Sequence, residues 1–251
     1  MKRRVVLSSI AMLIFVFACS GLVSATLSEG LVFLATFEDK SGDKASDLSG
    51  FKNNGTVKGK VAWVAGKFGG GFHFDGATYI TVTNAKPLSE LTHPMSAGAW
   101  VSSEAFPAYC NIVEMDGGAG WKLGFVNTNP EWTAYHVLDF VSTRVVKQDE
   151  WTHVAATWDG KQAIFYINGE AEAPVQGGGV INVAGEPSLD MGYRRVGASS
   201  FYKGILDDVF VYNRLLTQSD IKDTMKGFAS VITSVEPNAK IATTWGDMKK
   251  F

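Results

Sequence analysis

The sequence predicts an all-β fold, a sandwich or jelly roll with one short C-terminal helix, and three observations carry that prediction. From about Leu27 to Phe228, short apolar runs alternate with turns rich in Gly, Asn and Asp. The segment Val154 to Ile167 reads as two strands around Asp159-Gly160, and Asn168-Gly169 follows at once as the next turn, so three strands form a meander. Near the end, Phe201 to Leu216 (FYKGILDDVFVYNRLL) reads as a closing strand covered on both faces.

Each element has a local reason. Gly66 to Gly76 (GKFGGGFHFDG) enters a strand through glycines and leaves by an Asp-Gly turn. It lacks the GxxxxGK[ST] spacing of a phosphate loop, and tight backbone packing accounts for its glycines. Gly117-Gly118 reads as a hairpin turn between IVEM and WKLGF. Within the meander, Val154, Ala156 and Trp158 share one face. In the closing strand, Val209 and Val211 face one way, Phe210 and Tyr212 the other, and Asp207 with Asp208 stand at its start. A carboxylate beside a buried strand is costly unless a cation or several donors compensate it. Thr217 and Asp220 then have the spacing of a capping box, and Ile221 with Met225 forms an i, i+4 apolar stripe, which predicts the helix.

Length and charge narrow the function. A chain of 251 residues accommodates one large β domain. The net charge is -2, with no clustered basic face of the kind that neutralises phosphates, so nucleic acid is not an expected partner. Lys2, Arg3 and Arg4 precede an apolar run from Val5 to Ala18 and the small-residue site Val23-Ser24-Ala25, which predicts an export signal over residues 1–25 cleaved after Ala25. A lipoprotein site at Cys19 is the alternative, with Phe17 as its departure from the usual small residue. Beyond the signal no apolar run is long enough to span a membrane. The expectation is a secreted or extracytoplasmic protein. Cys110 would remain as the one cysteine after cleavage, which excludes an intramolecular disulfide in the processed chain. Residues 229–251 are expected as a more polar C-terminal tail containing Trp245.

Five blocks in order carry a resemblance. LVFLATFEDKSG, DLSGFKNNGTVKG, GKFGGGFHFDGATYITV, WTHVAATWDGKQAIFYINGE and FYKGILDDVFVYNRLLTQSDI resemble the successive blocks of laminin-G-like domains of the concanavalin A-like lectin and glucanase superfamily. The resemblance covers roughly residues 30 to 228. It implies a two-sheet antiparallel jelly-roll sandwich, within a domain placed at 27–228, and a role in binding rather than catalysis. It further implies a structural calcium ion where the first and last strands meet, with Asp207 as its main side-chain ligand and Glu38 as the second. Here Glu38 follows Phe37 where the family usually has Asp, and the longer carboxylate still reaches an ion. Asp208 is expected on the opposite face from Asp207.

The enzyme alternative has one foothold, Glu114-Met115-Asp116. Related glucanases use an E-x-D-x-x-E strand, and the third carboxylate would fall at Ala119, so the acid–nucleophile pair of a retaining mechanism is incomplete. His73, His93, His136 and His153 lie on unrelated segments. The binding reading rests on loop aromatics. Sugar rings stack on Tyr and Trp, while Arg, Asn and Asp supply directional hydrogen bonds. Trp132, Tyr135, Tyr193, Arg194 and Tyr109 are the candidate ligand-binding residues, whereas Trp63, Trp100, Trp151 and Trp158 read as core. The sequence thus points to a non-catalytic recognition module for extracellular glycan or protein. A purely structural or adhesive surface protein is the second reading, and a glycoside hydrolase the third.

Overall fold

The computed structural model describes residues 27–83, 87–115, 119–181, 188–195, 197 and 199–229. The expected export signal with Cys19, the turn residues Gly117 and Gly118, Asp116, and the tail beyond residue 229 with Trp245 lie outside the described residues. In chain order the strands are β1 (Leu31–Ala35), β2 (Lys44–Ala45), β3 (Gly55–Lys58), β4 (Trp63–Ala65), β5 (Gly70–Asp75), β6 (Tyr79–Thr83), β7 (Met95–Ser103), β8 (Tyr109–Met115) and β9 (Trp121–Val126). They continue as β10 (Asn129–Ala134), β11 (Leu138–Val141), β12 (Thr152–Trp158), β13 (Gln162–Ile167), β14 (Glu170–Ala171), β15 (Val175–Gln176), β16 (Ser188–Met191) and β17 (Lys203–Tyr212), before helix α1 (Gln218–Thr224).

Among the described residues these strands form two antiparallel sheets. One runs β14-β13-β12-β7-β17-β5-β4, with β1 added beside β17 and β15 beside β13; the other runs β11-β10-β9-β8-β16-β6-β3-β2. The two inner faces enclose one apolar core that includes Phe33, Phe72, Val101, Trp121, Phe165 and Val211. Trp100 and Trp158 are buried, as the sequence predicts. A second, smaller cluster on the outer face of the first sheet joins Leu34, Phe210 and Tyr212 to Ile221 of α1 and to Phe228. The closing strand is therefore covered on both sides, and α1 is the cover on its outer face. The predicted capping box is present: Thr217 accepts from the Asp220 amide, and the Asp220 side chain accepts from the Thr217 amide.

The first strand meets the last, β17. Leu31 pairs with Tyr212 and Ala35 with Val209, while β5 and β7 flank the remainder of the strand. The Asn168-Gly169 turn has φ of +50° and +76°, the conformation that Asn-Gly supplies at least cost. Close approach explains the Gly66–Gly71 run: a Cβ at Gly66 would lie 2.0 Å from the Gly70 carbonyl and 2.6 Å from Asp207 Oδ2.

Candidate ligand groove and acidic seam

Period-2 alternation in β9 and β10 builds the groove floor. Trp121, Leu123 and Phe125 turn into the core with Trp132 and Ala134, so Lys122, Glu131 and Thr133 emerge on the opposite face of the sheet. Cross-strand register then aligns Asp139 (β11), Thr133 (β10), Lys122 (β9), Glu114 (β8), Asp190 (β16) and Thr81 (β6) as one polar row. Most charged groups of that row find partners in it or beside it. Lys122 Nζ pairs with Glu131 at 2.5 Å, Thr133 donates to Asp139 at 2.7 Å, and Arg195 donates from Nε and one terminal nitrogen to Asp190, each at 3.0 Å.

Above one end of the row lies a groove of about 440 Å³, bordered by Tyr109, Lys122, Glu131, Tyr135, Leu138 and Arg194. Tyr109 is 53% exposed and receives the Lys122 ammonium 5.5 Å from its ring centroid. Tyr135 donates its hydroxyl to Glu114 Oε1 at 2.7 Å, and the Arg194 guanidinium lies 5.6 Å from the Tyr135 ring centroid. Glu114 itself is fully buried, its other oxygen accepting from Asn111 Nδ2 at 2.6 Å. Burial pushes its carboxyl up to about 7; the Tyr135 hydrogen bond and Arg194 oppose the rise, and Asp190 adds to it.

The structure brings together three of the five predicted ligand residues: Tyr109, Tyr135 and Arg194 border one groove. Tyr193 sits outside its lining, stacked on Tyr79 at 4.3 Å and packed against Phe201 at 4.9 Å. Trp132 must be corrected. It is fully buried and stacks on Trp121 at 5.1 Å with an interplanar angle of 10°, because the strand that carries Glu131 and Thr133 outward turns it inward. Lys122, Glu131, Thr133 and Asp139 were not among the predicted site residues. Their signal is the alternation of WKLGF against EWTA, which becomes informative only when the two strands are paired.

At the β1–β17 seam the predicted metal residues are neighbours in charge. Asp207 Oδ2 accepts from the Phe68 amide at 2.9 Å, and its Oδ1 accepts from the Asp208 amide at 2.7 Å; Glu38 Oε1 accepts from the Gly70 amide at 2.7 Å. The strict alternation expected between Asp207 and Asp208 is broken by a register shift between Asp207 and Phe210, with Asp208 at φ +47°. Burial raises Asp207 to about 6, against its backbone hydrogen bonds, and raises Asp208 to about 8, helped by the charges of Asp207 and Glu38. Asp208 Oδ2 is buried without a hydrogen-bond partner among the described residues. An orphaned oxygen beside two like charges fits a cation. Among the described residues no three acidic, His or Cys side chains converge at metal-binding spacing, so a calcium ion here would need backbone carbonyls and water to complete its shell. Cys110 is buried, which pushes its thiol up to about 12 and leaves it a packing residue.

A laminin-G family model, described as the concanavalin A-like lectin/glucanases superfamily, matches residues 74–222. Domain 4 of AbnA, a GH43 extracellular arabinanase from Geobacillus stearothermophilus solved with arabinotriose, is similar in fold at 19% identity and a TM-score of 0.62, over 77% of this chain and 97% of that one. Botulinum neurotoxin type C, which interacts with two ganglioside molecules, is similar at 12% identity and a TM-score of 0.60, over 84% of this chain and 52% of the other. The binding domain of Paraclostridial Mosquitocidal Protein 1 is similar at 19% identity and a TM-score of 0.61, over 81% and 53%. This chain thus spans about half the length of the two toxin structures. A search of curated proteins finds no match.

Proposed function

The chain belongs to the concanavalin A-like lectin/glucanases superfamily, and from that premise we propose that it is a non-catalytic module that seats an extracellular glycan in the groove over β8–β11. The observation that carries the reading is the groove's mixed lining. An exposed Tyr109 ring offers a stacking face, while the exposed Asp139 carboxylate and the Arg194 guanidinium offer hydrogen-bonding groups to sugar hydroxyls. The arabinotriose complex of AbnA domain 4 supports it by fold analogy. Against catalysis stands Glu114, sealed beneath Tyr135, whose cross-strand carboxylate neighbour Asp190 is also fully buried and engaged by Arg195.

Titration with oligosaccharides tests the reading. Tyr109→Ala is expected to weaken binding by roughly tenfold, the scale of one stacking contact, without moving the melting temperature by more than a few degrees. Binding to a protein partner with no sugar bound in any titration favours the adhesive reading instead. Reducing-sugar release that disappears in Glu114→Gln would return the enzyme reading.

Two further elements belong to the proposal. Export with cleavage after Ala25, or lipidation at Cys19, follows from the N-terminal pattern; the intact mass of the mature chain distinguishes the two from retention. A structural calcium held by Asp207 and Glu38 would offset the like charges at the seam, with Asp208 Oδ2 as the atom most in need of it. Chelation is then expected to lower the melting temperature of the native chain and to leave Asp207→Ala unchanged. Superimposable melting curves with and without chelator count against the ion.

A further inference from the structure

The cations around the groove are not equivalent. Lys122 is committed to Glu131 and to the Tyr109 ring. Arg195 is committed to both oxygens of Asp190 and to the Thr81 hydroxyl, at 3.0, 3.0 and 2.9 Å. Its chain neighbour Arg194, which borders the groove, makes no side-chain hydrogen bond or ion pair among the described residues, and its Nε is buried without a partner. The backbone around it is pinned: the Arg194 amide donates to the Ser199 carbonyl at 3.0 Å, and the Ser199 amide returns a bond to Arg194 at 3.3 Å. A guanidinium that borders the groove over the Tyr135 ring, attracted to Glu114 without a hydrogen bond to it, keeps donors unspent among the described residues.

Building on the glycan reading above, we propose that the groove selects an acidic sugar, with Arg194 as the residue that reads its carboxylate. A planar guanidinium matches a carboxylate through two parallel N–H donors. The rest of the lining speaks against an acidic peptide, because the exposed Asp139 carboxylate borders the same space and accepts from hydroxyl or other donors instead of welcoming further negative charge. A uronic or sialic acid carries both: a ring of donor hydroxyls and one carboxylate. Since Lys122 is cancelled by Glu131 and the chain's net charge is -2, selectivity would arise from this one side chain and not from a general basic field.

The test compares an array of uronic- and sialic-acid oligosaccharides with the same oligosaccharides carboxyl-reduced to alcohols, at about 0.15 M ionic strength, beside a poly-glutamate peptide. The native chain is expected to bind acidic forms at least tenfold more tightly than their reduced counterparts, roughly the effect of one charge-assisted pair. Arg194→Gln should bring that ratio close to one, and Arg194→Lys should restore part of it, with unchanged melting curves showing that both variants fold. Equal binding of acidic and reduced sugars, or a ratio untouched by Arg194→Gln, overturns the assignment. Binding confined to poly-glutamate overturns it as well. Absence of binding to every sugar in either form removes the glycan reading itself and this assignment with it, whereas binding confined to reduced sugars leaves the glycan reading standing and removes only the carboxylate.

Discussion

Glu114 shows how a single side chain takes its character from its strand partners. Both its oxygens are engaged, by Tyr135 and Asn111, in a place without solvent, and its carboxyl lies near 7 instead of its ordinary 4.5. The folded chain therefore holds this proton more tightly than the unfolded chain does. The associated stability is fully present below the ordinary carboxylate range and is lost as pH rises through about 7. His153 acts in the opposite sense: burial lowers it to about 3, so its contribution is present above the ordinary imidazole range and is lost as pH falls. A comparison of native chain with Glu114→Gln cancels His153. The Gln variant is expected to gain on the native chain by on the order of 1–3 kcal/mol between pH 5 and pH 8, measured by denaturant titration at each pH. A difference independent of pH would show that Glu114 titrates normally. At this scale the sequence offered Glu114 and Tyr135 as separate candidates, and only register made them one unit. Trp132 is the converse case, a loop aromatic by composition and a core residue by strand parity.

Elements with local causes were legible. Helix α1 follows from its capping box, and Thr217→Ala is expected to cost about 1 kcal/mol, a melting shift of about 2–4 °C, with Thr217→Ser recovering most of it. An unchanged thermal transition would mean that packing of Ile221 and Phe228 alone fixes the helix. The Asn168-Gly169 turn was equally readable, because its two positive φ values suit those two residues. Asp159-Gly160 is the turn its dipeptide predicts, with a detail the sequence leaves open: of the two only Gly160 has positive φ, while the Asp159 side chain accepts from the Lys161 and Gln162 amides. The register shift at Asp207–Phe210 was not legible. A bulge depends on what two strands far away in the chain demand of β17, and β5 and β7 are distant in sequence.

For the molecule as a whole, the decisive feature is the pairing of β1 with β17, which joins residues about 180 positions apart and buries Phe33 in the sandwich core and Leu34 beneath α1. Amide exchange in β1 is accordingly expected to be as slow as in β17, and Phe33→Ala to cost about 3–5 kcal/mol by leaving a cavity between the sheets. Rapid exchange confined to β1 would show that the first strand frays independently of the closure. Sequence alone determined the strand-and-turn rhythm, the two-faced burial of β17, the capped helix and the meeting of the first and last strands, since each is written in residue periodicity, in turn chemistry or in the ordered blocks of the resemblance. Tertiary structure alone decided which polar residues share the groove, which aromatics reach it, that Arg195 is spent on Asp190 while Arg194 makes no ion pair among the described residues, and that Asp208 Oδ2 lacks a hydrogen-bond partner among them. Those outcomes depend on the lateral register of strands, and register is fixed by core packing across the whole sandwich, not by any one segment.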